Sequence, residues 1–311
     1  MGIPVVVIRG ILESGKTRFI VESLMNKDFG DLGKTLILAQ ECGEEEYDIE
    51  ALKKHKIDVC IVENKEDWKP EVVDEAIRKH KPHVVFIEVN EMWDYESLPM
   101  PPYFDYQQFM TIIDGSTFNQ YFNNMRQKFN DMIKGSEIVI INRCLPTPET
   151  SNMKRTVKMI NNNCAVLALD YNGLELKLES DLPYSVKQEP IKVERGDFGI
   201  FYVDTFDSKS RYQNKIVEFD CMAVFDRKLP PKTFIAGRMA MTCCADDIQL
   251  IGHLCNYKGD LKLKNKSWIH LKATVRYMNF RGERKEQIIF EAIDITEIEA
   301  PDAEEALLEL R

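Results

Sequence analysis

The stretch Val5–Ile20, VVVIRGILESGKTRFI, decides how the first half of this chain is read. Val5 to Ile8 is an uninterrupted apolar run, the pattern of a strand buried on both faces. Gly10, Gly15, Lys16 and Thr17 follow at the spacing GxxxxGK[ST], and RFIVESLMN continues as a helix. This is a phosphate-loop motif between a strand and a helix, the context it requires. Its glycines let the backbone wrap phosphates with N–H groups, and the helix points its positive end at the same oxygens. On this reading Gly10, Glu13, Ser14, Gly15, Lys16, Thr17 and Arg18 contact a nucleotide. Lys16 reaches the outer phosphates and the Thr17 hydroxyl ligates Mg²⁺. The competing reading is a Gly-rich turn that happens to hold Lys and Thr.

Working outward, PVVVIR, TLILAQ, DVCIVE, HVVFIE, FMTIID, EIVIIN and AVLALD read as strands. KPEVVDEAIRKHK and STFNQYFNNMRQKFNDMIKG between them read as helices. In the second helix Phe118, Phe122, Met125, Phe129 and Met132 line one apolar face, a core stripe. Alternating strands and helices predict an α/β domain with a mostly parallel sheet covered on both sides.

The pattern dissolves across 171–197, where Pro183, Pro190 and Gly196 mark a connection between domains. The expected division is 1–185 and 186–311. Beyond it FGIFYVDTF, IVEFDCMAVFD, TFIAGRMAMTCC, IQLIGHLCNY, SWIHLKATVRYMNF and EQIIFEAIDITEIEA read as strands, and NFRGERKE as a hairpin loop. Strands without intervening helices predict a small all-β, OB-like barrel with an acidic tail.

The net charge of −10 argues against binding driven by a basic surface, whether to nucleic acid or to an anionic membrane. The N-terminus lacks the pattern of a signal peptide, Val6 spoils a myristoylation site, and no apolar run is long enough to span a bilayer. A cytoplasmic protein is expected. Its eight cysteines then read mostly as small buried residues rather than a disulfide framework.

Further motifs fall in order along residues 3–170 and together resemble the CobW-type GTPases, relatives of the urease and hydrogenase metallochaperone GTPases. TLILAQECGEEEYDIEAL is similar to the segment that family writes Asn-Glu-Phe-Gly, with Glu41 and Gly43 in place and Gln40 for Asn. HVVFIEVNE places Glu88 at the Walker B-like carboxylate, and TIIDGSTF resembles the family's Val-Val-Asp strand. IVIINRC resembles the strand that carries the guanine-reading Asn-Lys-x-Asp, at Asn142 and Arg143. The resemblance implies Mg²⁺ with GTP or ATP, with Lys16, Thr17 and Glu88 as the catalytic constellation. Three departures stand out. The family's Cys-x-Cys-Cys should follow the third strand, yet DVCIVENKEDWKPE holds only Cys60. Glu91 replaces the glycine that senses the γ-phosphate, and a carboxylate there repels phosphate unless a base or metal intervenes. The base-reading segment is Asn142-Arg143-Cys144-Leu145, without the Asp that accepts from guanine, which lowers discrimination against adenine.

Two regions carry residues able to hold a softer metal, Zn²⁺ among them. ECGEEEYD crowds Glu41, Cys42, Glu44, Glu45, Glu46 and Asp48; Glu41, Cys42 and Glu44, with Thr17 and Glu88, are candidate ligands. The alternative is a solvated acidic loop leading into a helix. MTCCADDIQLIGHLCNY supplies Cys243, Cys244, His253 and Cys255, at a spacing that matches no zinc-finger pattern and also suits buried barrel cysteines. FIAGRMAMTCCADDIQLIGHLCNY and SWIHLKATV resemble the C-terminal domain of bacterial proteins described as permease partners. Arg238, Met239, Cys243, Cys244, Ala245, Asp246, Trp268 and Ile269 match, and Ala273 stands for the usual Gly.

Three function classes follow. The first is a weak NTPase in metal handling, or coupled to metal or solute transport, with a metalloprotein client or a homodimer as the expected assemblies. The second is a degenerate nucleotide-binding scaffold or regulatory partner. The third is nucleic-acid binding by the barrel through RGERK, KLKNKSW, Trp268, Tyr277 and Phe280, disfavoured because acidic residues nearly balance the basic ones. No histidine sits in a nucleophile-like context.

Overall fold

The computed structural model describes residues 2–93, 95–176, 182–241, 248–279 and 286–309. The chain forms two compact units, Met1–Leu178 and Glu179–Arg311.

In the first unit the elements run β1 (Ile3–Arg9), α1 (Lys16–Asn26), β2 (Thr35–Ala39), α2 (Ile49–Lys54), β3 (Ile57–Ile61), α3 (Pro70–His80), β4 (Val84–Glu88) and β5 (Phe104–Asp114). Then follow α4 (Phe118–Asn124), α5 (Arg126–Lys134), β6 (Ile138–Asn142), α6 (Pro148–Ile160) and β7 (Ala165–Ala168). The seven strands form one sheet in the order β3-β2-β4-β1-β5-β6-β7, and every neighbouring pair is parallel. Alternation along β1 divides the core. Val5 and Val7 pack with Leu36, Leu38, Val85, Ile87 and Trp68 on one face. Val6 and Ile8 pack with Ile20, Ile37, Phe86, Ile112 and Ile140 on the other. Both faces are therefore dry, which is why these strands are nearly all apolar.

The segment 116–135, expected as one helix, is two. The break falls at Met125 (φ −130°, ψ 36°). Asn124 Nδ2 donates to Gln120 O at 2.8 Å, and Arg126 Nη2 reaches Asn123 Oδ1 at 3.4 Å. Asparagines that bond locally compete with the helical ladder. The apolar stripe survives the bend: Phe118 stacks on Phe122 with centroids 5.2 Å apart, and both meet Phe129 edge-on.

The second unit holds β8 (Ile191–Val193), α7 (Phe198–Asp207), α8 (Lys209–Tyr212), β9 (Ile216–Val224), β10 (Thr233–Met241) and β11 (Ile248–Asn256). After these come β12 (Ser267–Met278), β13 (Gln287–Glu297), α9 (Ala303–Ala306) and β14 (Leu307–Glu309). Pairing runs β9-β10-β11-β13-β12 and back to β9, so the sheet closes into a small barrel. β11 and β13 are parallel and the other barrel pairs antiparallel. Gly237 faces Gly252 across β10 and β11. A Cβ at Gly237 would lie 2.3 Å from Ile251 O, so only glycine permits this approach.

FGIFYVDTF, expected as a strand, is helix α7. The run is apolar almost throughout, and a continuous apolar segment does not distinguish strand from helix by period. Burial decided it: Phe201 plugs the barrel against Phe219 (5.3 Å) and Phe290 (6.1 Å). The connecting segment also contains more order than expected, since β8 pairs in parallel with β9. The tail adds β14, in parallel with β10. The NFRGERKE loop falls mostly outside the described residues.

Candidate nucleotide-binding site

The C-terminal ends of β1, β4, β5 and β6 bring the site together. Ile8 pairs with Glu88, Ala39 pairs with Glu88, and Asp114 pairs with Asn142. The ends of parallel strands where the order switches are where such sheets bind ligands.

The loop after β1 turns on residues with positive φ: Gly10 at 149°, Glu13 at 63° and Gly15 at 91°. A Cβ at Gly10 would stand 2.4 Å from Ile112 O, and one at Gly15 would stand 2.6 Å from Asn142 Nδ2. The backbone is thus a cradle that side chains would fill. The first N–H to bond into α1 is that of Phe19, donated to Gly15 O at 3.0 Å. The N–H groups of Lys16, Thr17 and Arg18 precede that ladder, the arrangement that receives an anion. Ser14 Oγ is buried without a hydrogen-bond partner among the described residues.

Lys16 is 3% exposed. Its ammonium donates to Gly10 O at 2.7 Å and Ile11 O at 3.1 Å, and pairs with the Glu41 carboxylate. Burial pushes the Glu41 carboxyl above the ordinary range even with Lys16 beside it. Thr17 Oγ1 donates to Glu88 Oε1 at 2.8 Å, while Tyr47 OH donates to Glu88 Oε2 at 2.6 Å. Burial first, and Glu88 second, hold the Tyr47 phenol firmly protonated. Glu13 Oε1 accepts from Glu44 N at 2.8 Å. The 41–48 loop is therefore tied to the phosphate loop and Glu88 by Glu41, Glu44 and Tyr47. Burial and nearby carboxylates push the Cys42 thiol to about 11.

On the opposite side Asn142 Nδ2 donates to Ser14 O at 2.8 Å. Arg143, at φ 52°, donates to Glu13 O at 3.0 Å and to Asp114 Oδ2 at 2.6 Å. Arg18 lies at the start of α1 with Glu22 at 2.7 Å. Glu91 does not stand alone as a repulsive charge. Arg9 Nε and Nη2 grip its two oxygens at 2.7 and 3.0 Å, a bidentate pair.

Gly10, Glu13, Ser14, Gly15, Lys16, Thr17, Arg18, Asn142, Arg143, Glu41, Cys42, Glu44 and Glu88 all lie in this neighbourhood. The cradle and the adjoining Thr17 and Glu88 oxygens suit a Mg²⁺-nucleotide. A transition-metal set is not assembled: among the described residues no group of three or more His, Cys, Asp or Glu side chains is arranged so that it could hold a metal ion. In the barrel, His253 Nε2 lies 2.8 Å from Thr205 Oγ1 and the ring packs against Tyr202 and Phe206. Burial lowers its pKa to about 3. Cys255 is fully buried on the same strand, and Cys243 and Cys244 lie outside the described residues.

Sequence reasoning missed Arg9, Tyr47 and Asp114 as members of the site. The opposite charges of Arg9, at the end of β1, and Glu91, just beyond the paired strand β4, were the available signal for the first.

The fold and this loop define a P-loop nucleotide-binding domain. Residues 4–168 match the CobW/HypB/UreG nucleotide-binding domain, over half of the chain, and the protein belongs to that family. Residues 172–304 match the DUF1980 C-terminal domain. Among solved structures it is similar to the hydrogenase maturation factor HypB from Archaeoglobus fulgidus, at 14% identity and a TM-score of 0.41, covering 55% of this chain and 83% of that one. It is also similar to Zn(II)-bound YjiA GTPase from E. coli, at 15% identity and a TM-score of 0.40, over 57% of this chain and 61% of that one. HypB from Helicobacter pylori in complex with nickel matches at 12% identity and a TM-score of 0.35, over 54% and 79%. Among curated proteins none matches significantly. Among the described residues no helix is long and apolar enough to cross a membrane.

Proposed function

We propose that this protein is a nucleotide-gated switch with weak NTPase activity that acts in metal handling or is coupled to metal or solute transport. The observation that carries this reading is the loop 41–48, fastened to the phosphate loop by the groups a Mg²⁺-nucleotide recruits. Lys16 exchanges Glu41 for phosphate oxygens, and Thr17 turns its hydroxyl from Glu88 toward the cation site they share. Thr17 and Glu88 would hold Mg²⁺, which would supply neutralisation of phosphate charge. Glu41 is then released with its loop, the way a bound phosphate becomes a movement. Glu41, Cys42 and Glu44 are the first candidates to meet a cargo metal such as Zn²⁺. Cys42 must lose its proton to do so, so loop movement away from the neighbouring carboxylates precedes any thiolate ligation.

The test is equilibrium binding of fluorescent GTP and ATP analogues with Mg²⁺, comparing wild type with Lys16→Ala. Metal-stripped protein is then titrated with Zn²⁺ in the presence and absence of nucleotide. Binding that needs Lys16, with Zn²⁺ affinity that changes with nucleotide, supports the proposal; nucleotide-independent Zn²⁺ binding defeats the metal-handling part.

A second reading, a scaffold that binds nucleotide without turnover, is favoured by the Arg9–Glu91 pair at a position the family gives to glycine. Mg²⁺-dependent turnover abolished by Lys16→Ala decides against it.

A further inference from the structure

The barrel wall of the second unit has a split. β10 pairs with β11 along its whole length, but on its other edge it pairs with β9 only at 235–237. Beyond Gly237 the two strands part. β8 covers the edge that β9 turns away, and β14 pairs in parallel with 239–241 of β10. The seal on β10 is thin: β14 is three residues long, with Leu308 buried in the seam.

Arg238 lies under this seal. Phe234, Ala236, Arg238 and Ala240 share one face of β10, and each is buried. Arg238 Nη1 donates to Arg195 O at 2.5 Å and Nη2 donates to Glu305 O in the tail, while the guanidinium lies 5.2 Å from the Trp268 ring. Nε is buried without a hydrogen-bond partner among the described residues. Those residues give the cation two neutral carbonyls and a ring, and no carboxylate, an under-compensated buried charge. Nε and Nη2 are the edge with which a guanidinium grips a carboxylate, as Arg9 grips Glu91. In Arg238 that edge holds one carbonyl and a vacant N–H. Arg195 adds a second cation, engaged by Asp220 at 2.8 Å and by Glu305 of the tail at 3.0 Å.

We infer that this split is a docking seam for an extended acidic segment of a partner protein, and that the tail, 302–309, competes for it from within the chain. The partner strand lies along 239–241 as β14 does, held by main-chain hydrogen bonds at an open sheet edge. Its carboxylate takes both Nε and Nη2 of Arg238, where the tail offers a single carbonyl. An aliphatic side chain takes the seat of Leu308. A neutral strand keeps the main-chain bonds but leaves the guanidinium edge half filled, so charge sets the preference.

The experiment follows the fluorescence anisotropy of two labelled peptides added to the full chain. Both copy residues 299–311, one with Ala306→Asp and the other with Ala306→Asn, so they differ by one charge beside the carbonyl that Arg238 takes. The chain is tested as wild type, as Leu308→Asp, which unseats the tail, and as Leu308→Asp with Arg238→Lys; thermal melts check that each is folded. We expect the Asp peptide to bind Leu308→Asp at least about tenfold more tightly than wild type, and at least about tenfold more tightly than the Asn peptide does. Arg238→Lys keeps the charge and loses the fork, so it should bring the two peptides within about threefold of each other. Hydrogen exchange across 239–241 in wild type, slowed by the Asp peptide and not by the Asn peptide, reads the same preference with no substitution in the chain. Equal binding of the two peptides to a folded Leu308→Asp overturns the acidic partner, and binding of neither overturns the seam. A concentration-dependent dimer that the Asp peptide fails to dissociate makes a second copy the occupant and overturns the inference as well.

Discussion

Lys16 and Glu41 form a buried ion pair inside the phosphate loop, where the ammonium also donates to the carbonyls of Gly10 and Ile11. Phosphate oxygens need the same ammonium, so Glu41 competes with nucleotide. Glu41→Gln is expected to tighten Mg²⁺-nucleotide binding by about three- to tenfold, the net worth of one hydrogen bond. Fluorescence titration reads this directly. Weaker binding instead assigns Glu41 to the bound state.

Thr17 and Tyr47 share the Glu88 carboxylate between them, at 2.8 and 2.6 Å. Removing the Thr17 hydroxyl takes away an oxygen that the proposed Mg²⁺ would share with Glu88. Thr17→Ala is expected to cost about tenfold in Mg²⁺-supported binding, with little effect on binding measured in EDTA. A Mg²⁺ titration at fixed nucleotide separates the two, and an equal loss in both conditions points to a steric cause.

The bidentate Arg9–Glu91 pair makes a structural prediction. Glu91 is 3% exposed, and removing it strands the Arg9 guanidinium, which is itself mostly buried. Glu91→Ala should lower stability by about 2–4 kcal/mol, read as a shift in the urea midpoint. A shift below about 0.5 kcal/mol would place Arg9 in water in solution, since exposed pairs contribute little.

His253 carries the pH prediction. Its folded pKa, about 3, lies below the ordinary 6.5 because the ring is buried. The unfolded chain therefore takes up a proton near pH 6.5 that the folded barrel refuses. Its contribution to stability is fully present above about pH 6.5 and is lost as pH falls toward 3, by about 1.4 kcal/mol per pH unit. His253→Gln removes this titration. Chemical denaturation of the two proteins at pH 7, 6 and 5 should show the steeper decline in wild type; parallel slopes would mean that the buried ring is protonated in the fold.

Much of this architecture is legible along the chain because it is written in neighbouring residues. The seven apolar runs before residue 170 each became a strand of one sheet. Buried parallel strands must be apolar on both faces, and a run of five such residues has few other fates. The phosphate loop is likewise contiguous, its glycines and Lys16 packed into eight positions. The barrel was legible as a set of strands, though FGIFYVDTF deceived because its aromatic and β-branched residues favour a strand until the barrel mouth buries them.

What sequence alone determined, then, is which segments of the first unit are strands and where the phosphate loop lies, since both depend on local spacing and steric freedom. Only tertiary structure decided the partners. Arg9 meets Glu91 across 82 positions and Tyr47 meets Glu88 across 41. Asp170 lines a cavity with Asn142 and Arg143 only because β7 pairs with β6. Periodicity carries no record of such contacts, because a charge repels or neutralises according to its distance in space, and strand order sets that distance.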